Sequence, residues 1–321
     1  MITNYVKKIK NNISIYSTKK SSNILDGTYK SIYKGKSLNF EDLREYVVGD
    51  NVKDIDWKAS ARSGKMLVRQ YIAEKKHNLM IVFDTGNKML ADTDCGESKK
   101  DVAILIAGTI AYLAEKNGDY VGAIYNKENI IKFFPLKTGE FSLENILYNF
   151  AKDIEKTKES DIEKSLGYII KNLKKRMVIL VVTDIEGINK IKVETLKKIT
   201  STNDILFVNI NDANLIEKNT YDVDTCLYIP DLLLKDEKLR KLEIETKQKL
   251  QGECINKLKK FKAAMISIST SNDIIKKTVE LLERHRNANF RWTSRSFSLF
   301  YFSANNYGIY SINRNIFNYI F

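Results

Sequence analysis

The chain has 321 residues, of which 43% are hydrophobic and 29% are charged, a balance that is typical of a soluble globular protein with one large or two small domains. Its three cysteines, Cys95, Cys226 and Cys254, are far apart and form no CxxC pair, which argues against a disulfide framework or a zinc site. No uninterrupted apolar run approaches the length of a membrane span.

The net charge of +13 is unevenly distributed along the chain. Residues 1–78 carry +8, residues 79–229 carry −3 and residues 230–321 carry +8. Basic ends of this kind can contact nucleic acid, anionic lipid or an acidic protein, although a solvated basic surface is the plainer interpretation. The start of the chain, MITNYVKKIKNN, has no apolar signal region, and together with the sparse cysteines it predicts a cytoplasmic protein.

Residues 1–78 show no regular alternation of strand and helix patterns, and we expect a small, β-rich segment with loops. Five apolar runs of strand length follow between residues 79 and 286. These predicted buried strands are Leu79–Phe83, Tyr120–Tyr125, Met177–Val182, Ile205–Ile210 and Ala264–Ile268. Parallel sheets favour such continuously apolar strands, because both faces of the sheet are covered.

Helical patterns separate the predicted strands. They cover Lys100–Lys116, Leu143–Ile154, Ile162–Leu173, Val193–Ile199, Leu234–Lys262 and Ile274–Arg286. The alternation predicts an α/β domain over residues 79–286, with a mostly parallel sheet and helices on both faces. In such sheets, sites form at the carboxyl ends of the strands, which is where Asp84 and Asp184 are expected.

The last stretch, residues 287–321, has eleven aromatic residues and no acidic residue. It shows neither a helical stripe nor a clean strand alternation. We expect a weakly ordered tail that contacts a partner or an anionic membrane surface, because exposed aromatic side chains at this density otherwise favour aggregation.

The most informative segment is residues 40–84, which reads FEDLREYVVGDNVKDIDWKASARSGKMLVRQYIAEKKHNLMIVFD. The elements L-R-x-Y-x-x-G-D, I-D-W-K-A-S-A-R and L-V-R-x-Y resemble the signature of a prokaryotic family, domain of unknown function fifty-eight. Weaker likeness continues to about Arg286. The resemblance implies a von Willebrand factor A-like (Rossmann-like) domain and a non-enzymatic role beside a MoxR-type AAA+ ATPase, in assembly or chaperone work.

Opposite charges lie close together in this signature, around one tryptophan. The residues concerned are Arg44, Asp50, Asp54, Asp56, Trp57, Arg62 and Arg69. Arginine can hold carboxylates through paired hydrogen bonds, so we favour a buried Trp57 surrounded by Arg–Asp pairs that fix the segment against the sheet. The alternative is an exposed surface that docks a partner. Gly49 predicts a turn that needs a permissive backbone.

Von Willebrand factor A-like domains often hold a divalent cation through D-x-S-x-S, a loop threonine and a later aspartate. Asp84 matches the first ligand, but Gly86 and Lys88 replace the two serines. Asp184 resembles the later aspartate, and Thr138 is the expected loop threonine. The resemblance thus implies a degenerate site for Mg²⁺ or another divalent cation. The simpler interpretation is that Asp84 and Asp184 form hydrogen bonds or a salt bridge with Lys88.

Motifs of common enzyme classes are absent from the sequence. There is no GxxxxGK[ST], and the two histidines, His77 and His285, form no HExxH or triad-like pattern. We therefore expect no catalytic residues and no cofactor. The alternatives are a nucleic-acid or anionic-surface binding protein that uses its basic ends and, with the least support, a metal-dependent hydrolase that uses Asp84 and Asp184.

Overall fold

The computed structural model describes residues 4–16, 25, 27–29, 42–49, 52, 55–70, 76–128, 130–154, 160–213, 221–222, 227–228 and 237–287. Asp50, Asp54 and the tail beyond residue 287 lie outside this set, so the expectations for them stay predictions. The same holds for the domain boundaries that the sequence suggests.

The N-terminal part contains one helix and a small sheet. Helix α1 spans Tyr5–Tyr16, and strands β1 (Asp42–Glu45) and β2 (Leu67–Gln70) pair antiparallel, with helix α2 (Trp57–Ser63) between them. The small antiparallel sheet agrees with the expected β character of this segment. Helix α1 was not predicted from the sequence.

The remaining strands, in chain order, are β3 (Asn78–Phe83), β4 (Tyr120–Lys127), β5 (Ile130–Lys137), β6 (Val178–Thr183), β7 (Asp204–Ile210), the short pair β8 (Tyr221–Asp222) and β9 (Leu227–Tyr228), and β10 (Ala264–Ile268). Six of these strands form the main sheet, in the order β10-β7-β6-β3-β4-β5. All neighbours in the large sheet are parallel except β4 and β5. The five predicted strands are all present, and the mostly parallel α/β fold is confirmed.

Helices cover both faces of this sheet. They are α3 (Lys99–Lys116), α4 (Glu140–Ile154), α5 (Ile162–Asn172), α6 (Ile185–Lys190), α7 (Val193–Thr200), α8 (Glu237–Lys260) and α9 (274–287). The helices α1, α3, α4 and α9 contribute to one hydrophobic core, and α5 to α8 contribute to the other. None of the helices in the described ranges has the length and apolar character that crossing a membrane requires.

The central strand β3 shows why the sheet lies between two cores. Leu79, Ile81 and Phe83 belong to the first core, whereas Met80 and Val82 belong to the second. Side chains on a strand alternate between the two faces, so a strand that is covered on both sides must be apolar throughout. This pattern made β3 recognisable in the sequence.

The edge strand β5 was not predicted. It carries Pro135, which has no backbone N–H to donate and is therefore confined to edges and irregular positions. Its pairing with β4 shifts register between Val121 and Ala123. A side chain on the intervening Gly122 would lie 2.7 Å from the carbonyl oxygen of Phe134, so glycine permits this close approach.

Helix α1 packs on the main domain although it precedes residue 79. The Glu144 carboxylate accepts hydrogen bonds from the backbone N–H groups of Tyr5 and Val6, at 2.8 and 2.7 Å. Ile9 is fully buried and packs against Gly108. A Cβ atom on Gly108 would lie only 2.2 Å from the Cδ1 atom of Ile9. Gly108 is thus a packing contact between α1 and α3.

Candidate functional site at the carboxyl edge of the sheet

Three aspartates follow three neighbouring strands at one edge of the main sheet. Asp84 follows β3, Asp184 follows β6, and Asp212 comes two residues after β7. The parallel register aligns Phe83 with Val182, and Thr183 with Asn209, so the three strand ends lie side by side. The expected meeting of Asp84 and Asp184 at one edge is confirmed.

Asp84 is 1% exposed and is held by groups from both of its neighbouring segments. Its Oδ1 accepts a hydrogen bond from the Gly86 backbone at 3.1 Å. Its Oδ2 accepts one from the Thr183 hydroxyl at 2.6 Å and lies 3.0 Å from Lys88 Nζ. The carboxylate is therefore satisfied by protein groups alone.

Asp184 has two functions in this arrangement. It is the N-cap of α6, where its Oδ1 accepts from the Gly187 backbone N–H at 2.8 Å. The same oxygen lies 2.6 Å from Lys88 Nζ, so one ammonium contacts both strand-end carboxylates. The salt bridge that the sequence suggested as the simpler interpretation is present.

A second, buried lysine extends this arrangement and was missed by sequence reasoning. Lys99, the first residue of α3, is 0% exposed; its Nζ lies 3.4 Å from Asp184 Oδ2 and also contacts Asp212 Oδ1. We call Asp84, Lys88, Lys99, Asp184 and Asp212 the charge network. Asp212 carried a signal, because it closely follows a predicted strand, but lysines are rarely fully buried and Lys99 carried none.

Within the charge network, Lys88 and Asp184 are stabilised in their ionised forms. Burial alone would lower the pKa of Lys88, but Asp84 and Asp184 more than offset this effect and raise that pKa. Burial alone would raise the pKa of Asp184, but Lys88 and Lys99 more than offset it and lower that pKa. Opposite charges at close range favour the charged form, so Lys88 and Asp184 stay ionised near neutral pH.

The prediction for Thr138 is wrong. Thr138 follows β5, which runs antiparallel to β4 and pairs its last residue, Lys137, with Val121 near the start of β4. Asp84 lies beyond the opposite end of the sheet, where Phe83 pairs with Tyr125. Thr138 is also exposed. A residue that far along the strand direction cannot join Asp84 in one ligand shell.

The described residues of the carboxyl edge do not fit the divalent cation that the resemblance implies. Hard cations take six or more oxygen ligands, but Gly86 and Lys88 supply no hydroxyl and Thr138 is at the wrong end. Both aspartates are already bound to the Lys88 ammonium. Within the described ranges, no group of three or more His, Cys, Asp or Glu side chains is arranged to hold a metal ion.

The signature residues that the structure describes form a small unit, here called the signature unit (residues 42–70). Asp56 caps α2 by accepting a hydrogen bond from the Ala59 N–H at 3.0 Å, and Gly64 ends that helix with a left-handed φ of 69°. Gly49 has a φ of 112°, which confirms the predicted turn. Ile55 and Val68 bridge the two segments and are buried.

The predicted burial of Trp57 is wrong, because its side chain is 65% exposed. A two-stranded sheet with one short helix has too little apolar surface to cover a large ring. Arg62 is exposed in the last turn of α2, and Arg44 donates to the carbonyl oxygen of Glu45 at 3.3 Å. Arg69 lies on β2, but its side chain is outside the described part of the chain.

Trp57 is one of several exposed apolar side chains in the signature unit. The others are Leu43, Val47, Val48, Val52 and Met66. Backbone hydrogen bonds join their segments, since Tyr46 N–H donates to Met66 O and Asp56 N–H donates to Leu67 O, both at 2.9 Å. Grouped exposed apolar side chains are typical of interaction surfaces.

Related proteins share part of this chain. Uncharacterized proteins of Mycobacterium bovis and Mycobacterium tuberculosis are each 24% identical over 201 residues, which is 62% of this chain and 62% of the relative. The match thus spans less than two thirds of the length of these curated relatives.

Solved structures with similarity include a conserved hypothetical protein BatB from Bacteroides thetaiotaomicron, with 17% identity, a TM-score of 0.45 and coverage of 66% of this chain and 99% of that one. A von Willebrand factor type A protein from Catenulispora acidiphila has 7% identity, a TM-score of 0.37 and coverage of 68% and 44%. With these low scores, the fold assignment rests on the strand order described above.

The family model gives the most specific match. The model described as "Protein of unknown function DUF58" matches residues 42–218, which include the signature unit, the strands β3 to β7 and the charge network. The match covers more than half of the chain and begins in the segment whose motifs carried the resemblance. The chain belongs to the DUF58 family.

Proposed function

We propose that this protein is a non-enzymatic, cytoplasmic interaction module that binds a MoxR-type AAA+ ATPase through the signature unit. The observation that carries the proposal is the group of exposed apolar side chains in that unit, with Trp57 at 65% and Val48 at 95% exposure. The ATPase class comes from the family resemblance. Tryptophan is strongly enriched among residues that dominate binding energy at protein interfaces.

The charges of the signature unit favour a partner surface that is apolar with an acidic rim. Lys58 and Arg62 are exposed on α2, the helix that begins with Trp57. Lys65 is already paired with Glu45 across the end of the small sheet. Cations at the rim of an interface mainly steer the partner and fix its orientation, whereas the buried apolar centre supplies the affinity.

The carboxyl edge of the large sheet is less suited to direct contact. Asp84 is 1% exposed and Asp184 is 2% exposed, so a partner cannot reach either carboxylate without rearranging the loops. In the signature unit, in contrast, the apolar side chains are already exposed, so a partner can contact them without a rearrangement.

The proposal can be tested with the full-length chain and the purified MoxR-type ATPase from the same organism. We expect saturable binding that Trp57→Ala combined with Val48→Ser weakens by about tenfold or more, which corresponds to about 1.4 kcal/mol or more. Phe141→Ala is the matched control, because Phe141 is 88% exposed but lies at the start of α4. The control should bind like the wild type.

Two outcomes would contradict the proposal. One is unchanged ATPase binding by the Trp57/Val48 variant, and the other is no binding by the wild type. Binding of nucleic acid or anionic vesicles that is lost at high salt would instead support the alternative based on the basic ends of the chain.

A further inference from the structure

The Lys88 ammonium lies between two aspartates at the carboxyl edge of the large sheet. Lys88 lies four residues after Asp84, in the short 3-10 helix Asn87–Leu90. Its ammonium is 3.0 Å from Asp84 Oδ2 and 2.6 Å from Asp184 Oδ1, between the ends of two adjacent strands. A cation bound by both strand-end carboxylates would have to occupy this same space.

The surrounding backbone leaves room for the ammonium. A Cβ atom on Gly187 would lie 3.1 Å from Lys88 Nζ and 2.1 Å from the Thr183 hydroxyl. Any side chain at position 187 would thus press on the Asp84–Thr183 hydrogen bond and on the lysine together. The absence of a side chain at Gly187 makes the ammonium and the hydroxyl fit side by side.

The charges of the network also oppose an added metal. Lys88 and Lys99 already supply two positive charges to Asp84, Asp184 and Asp212. A divalent ion at the same carboxylates would meet the Lys88 ammonium at short range, where repulsion between like charges is strongest.

We propose that the Lys88 ammonium is a permanent replacement for the divalent cation of this sheet edge, which keeps Asp84 and Asp184 together without metal. The edge is then assembled at all metal concentrations, and binding by the chain does not depend on divalent ions. This inference is independent of the proposed ATPase partner, because metal binding is measured on the chain alone.

Two substitutions are expected to reverse this replacement. A Cβ atom on Gly86 would lie 3.4 Å from Asp84 Oδ1 and 3.5 Å from the Ser160 backbone nitrogen, which are ordinary contacts. The Cβ atom of a serine therefore has room at position 86. The double variant Gly86→Ser/Lys88→Ser restores two hydroxyl ligands beside Asp84 and removes the competing ammonium.

The test is a calorimetric titration of the full chain with Mn²⁺. We expect no Mn²⁺ binding by the wild type and one Mn²⁺ site in Lys88→Ser. The Kd of this site should be about 10⁻³ M or below, in the range of weak protein sites for hard cations. The double variant should bind Mn²⁺ more tightly than Lys88→Ser. Lys127→Ser is the matched control, because Lys127 is also partly buried and paired with a buried carboxylate, that of Asp153. The control should remain without a site.

Each outcome bears on the proposal. Mn²⁺ binding by the wild type that Asp84→Asn abolishes would overturn it, and so would folded variants, single and double, that gain no site. If Lys88→Ser unfolds, Mn²⁺ should restore its folded circular dichroism spectrum, and a failure to do so would also count against the replacement.

Discussion

The carboxyl edge of the large sheet and the signature unit differ in how they treat their unusual side chains. At the edge, two lysines form ion pairs with three aspartates, and Lys99 is fully buried. In the signature unit, apolar side chains including Trp57 remain exposed. A site that family likeness predicts to bind a metal can thus have its carboxylates paired with lysines of the same chain. A motif that was expected to be structural can instead provide the exposed surface for a partner.

The largest expected effect concerns the buried side of this comparison. Lys99→Met should lower the free energy of unfolding by about 3 kcal/mol, because it breaks a buried ion pair. This value is near the low end of the usual range, since Asp184 is still paired with Lys88 and Asp212 is partly exposed. Urea unfolding would measure the loss, with the exposed Lys197→Met as the control. A loss equal to that of the control would mean that Lys99 contributes little to stability.

The next effect concerns the space at the edge. Gly187→Ala should destabilise the protein by about 1–3 kcal/mol, the usual cost of overpacking, since its Cβ would approach the Thr183 hydroxyl to 2.1 Å. Gly167→Ala is the matched control, because that glycine lies in α5 with nothing within 4 Å of the added atom. The control should stabilise by up to about 1 kcal/mol. Equal melting temperatures for the two variants would contradict the described packing.

These effects separate what the sequence could predict from what it could not. Continuous apolar runs identified β3, β4, β6, β7 and β10, and the rule on strand ends placed Asp84 and Asp184 together. The position of Thr138 could not be derived, because it depends on β5 running antiparallel, and the sequence around Pro135 gave no strand pattern.

The remaining errors concern burial, which depends on tertiary neighbours. Lys99 is buried because Asp184 and Asp212 converge on it from two other strand ends. Trp57 is exposed because none of the described residues of its small unit belongs to either of the two large cores. Residue type gives the opposite expectation in both cases, since lysine is usually exposed and tryptophan is usually buried.

A smaller effect is expected from pH. The folded pKa of Asp184 is below its unfolded value, so its contribution to stability is present above about pH 4 and is lost as pH falls through the folded pKa. The stability difference between the wild type and Asp184→Asn should therefore be largest near neutral pH and shrink in acid. Urea unfolding at several pH values would measure it, and a difference that stays constant below pH 4 would contradict this linkage.

The smallest effect is expected on the exposed side of the comparison. Trp57→Ala should change the free energy of unfolding by no more than about 0.5 kcal/mol, because its side chain is 65% exposed and has little packing to lose. Ile55→Ala is the internal control, since Ile55 is 7% exposed in the same unit and its truncation should cost about 2–5 kcal/mol of local stability. Hydrogen exchange of β1 and β2 measures both variants on the same strands. Stronger loss of protection in Trp57→Ala than in Ile55→Ala would mean that the tryptophan is a structural anchor, and the apolar surface of the signature unit would then lose its main binding residue.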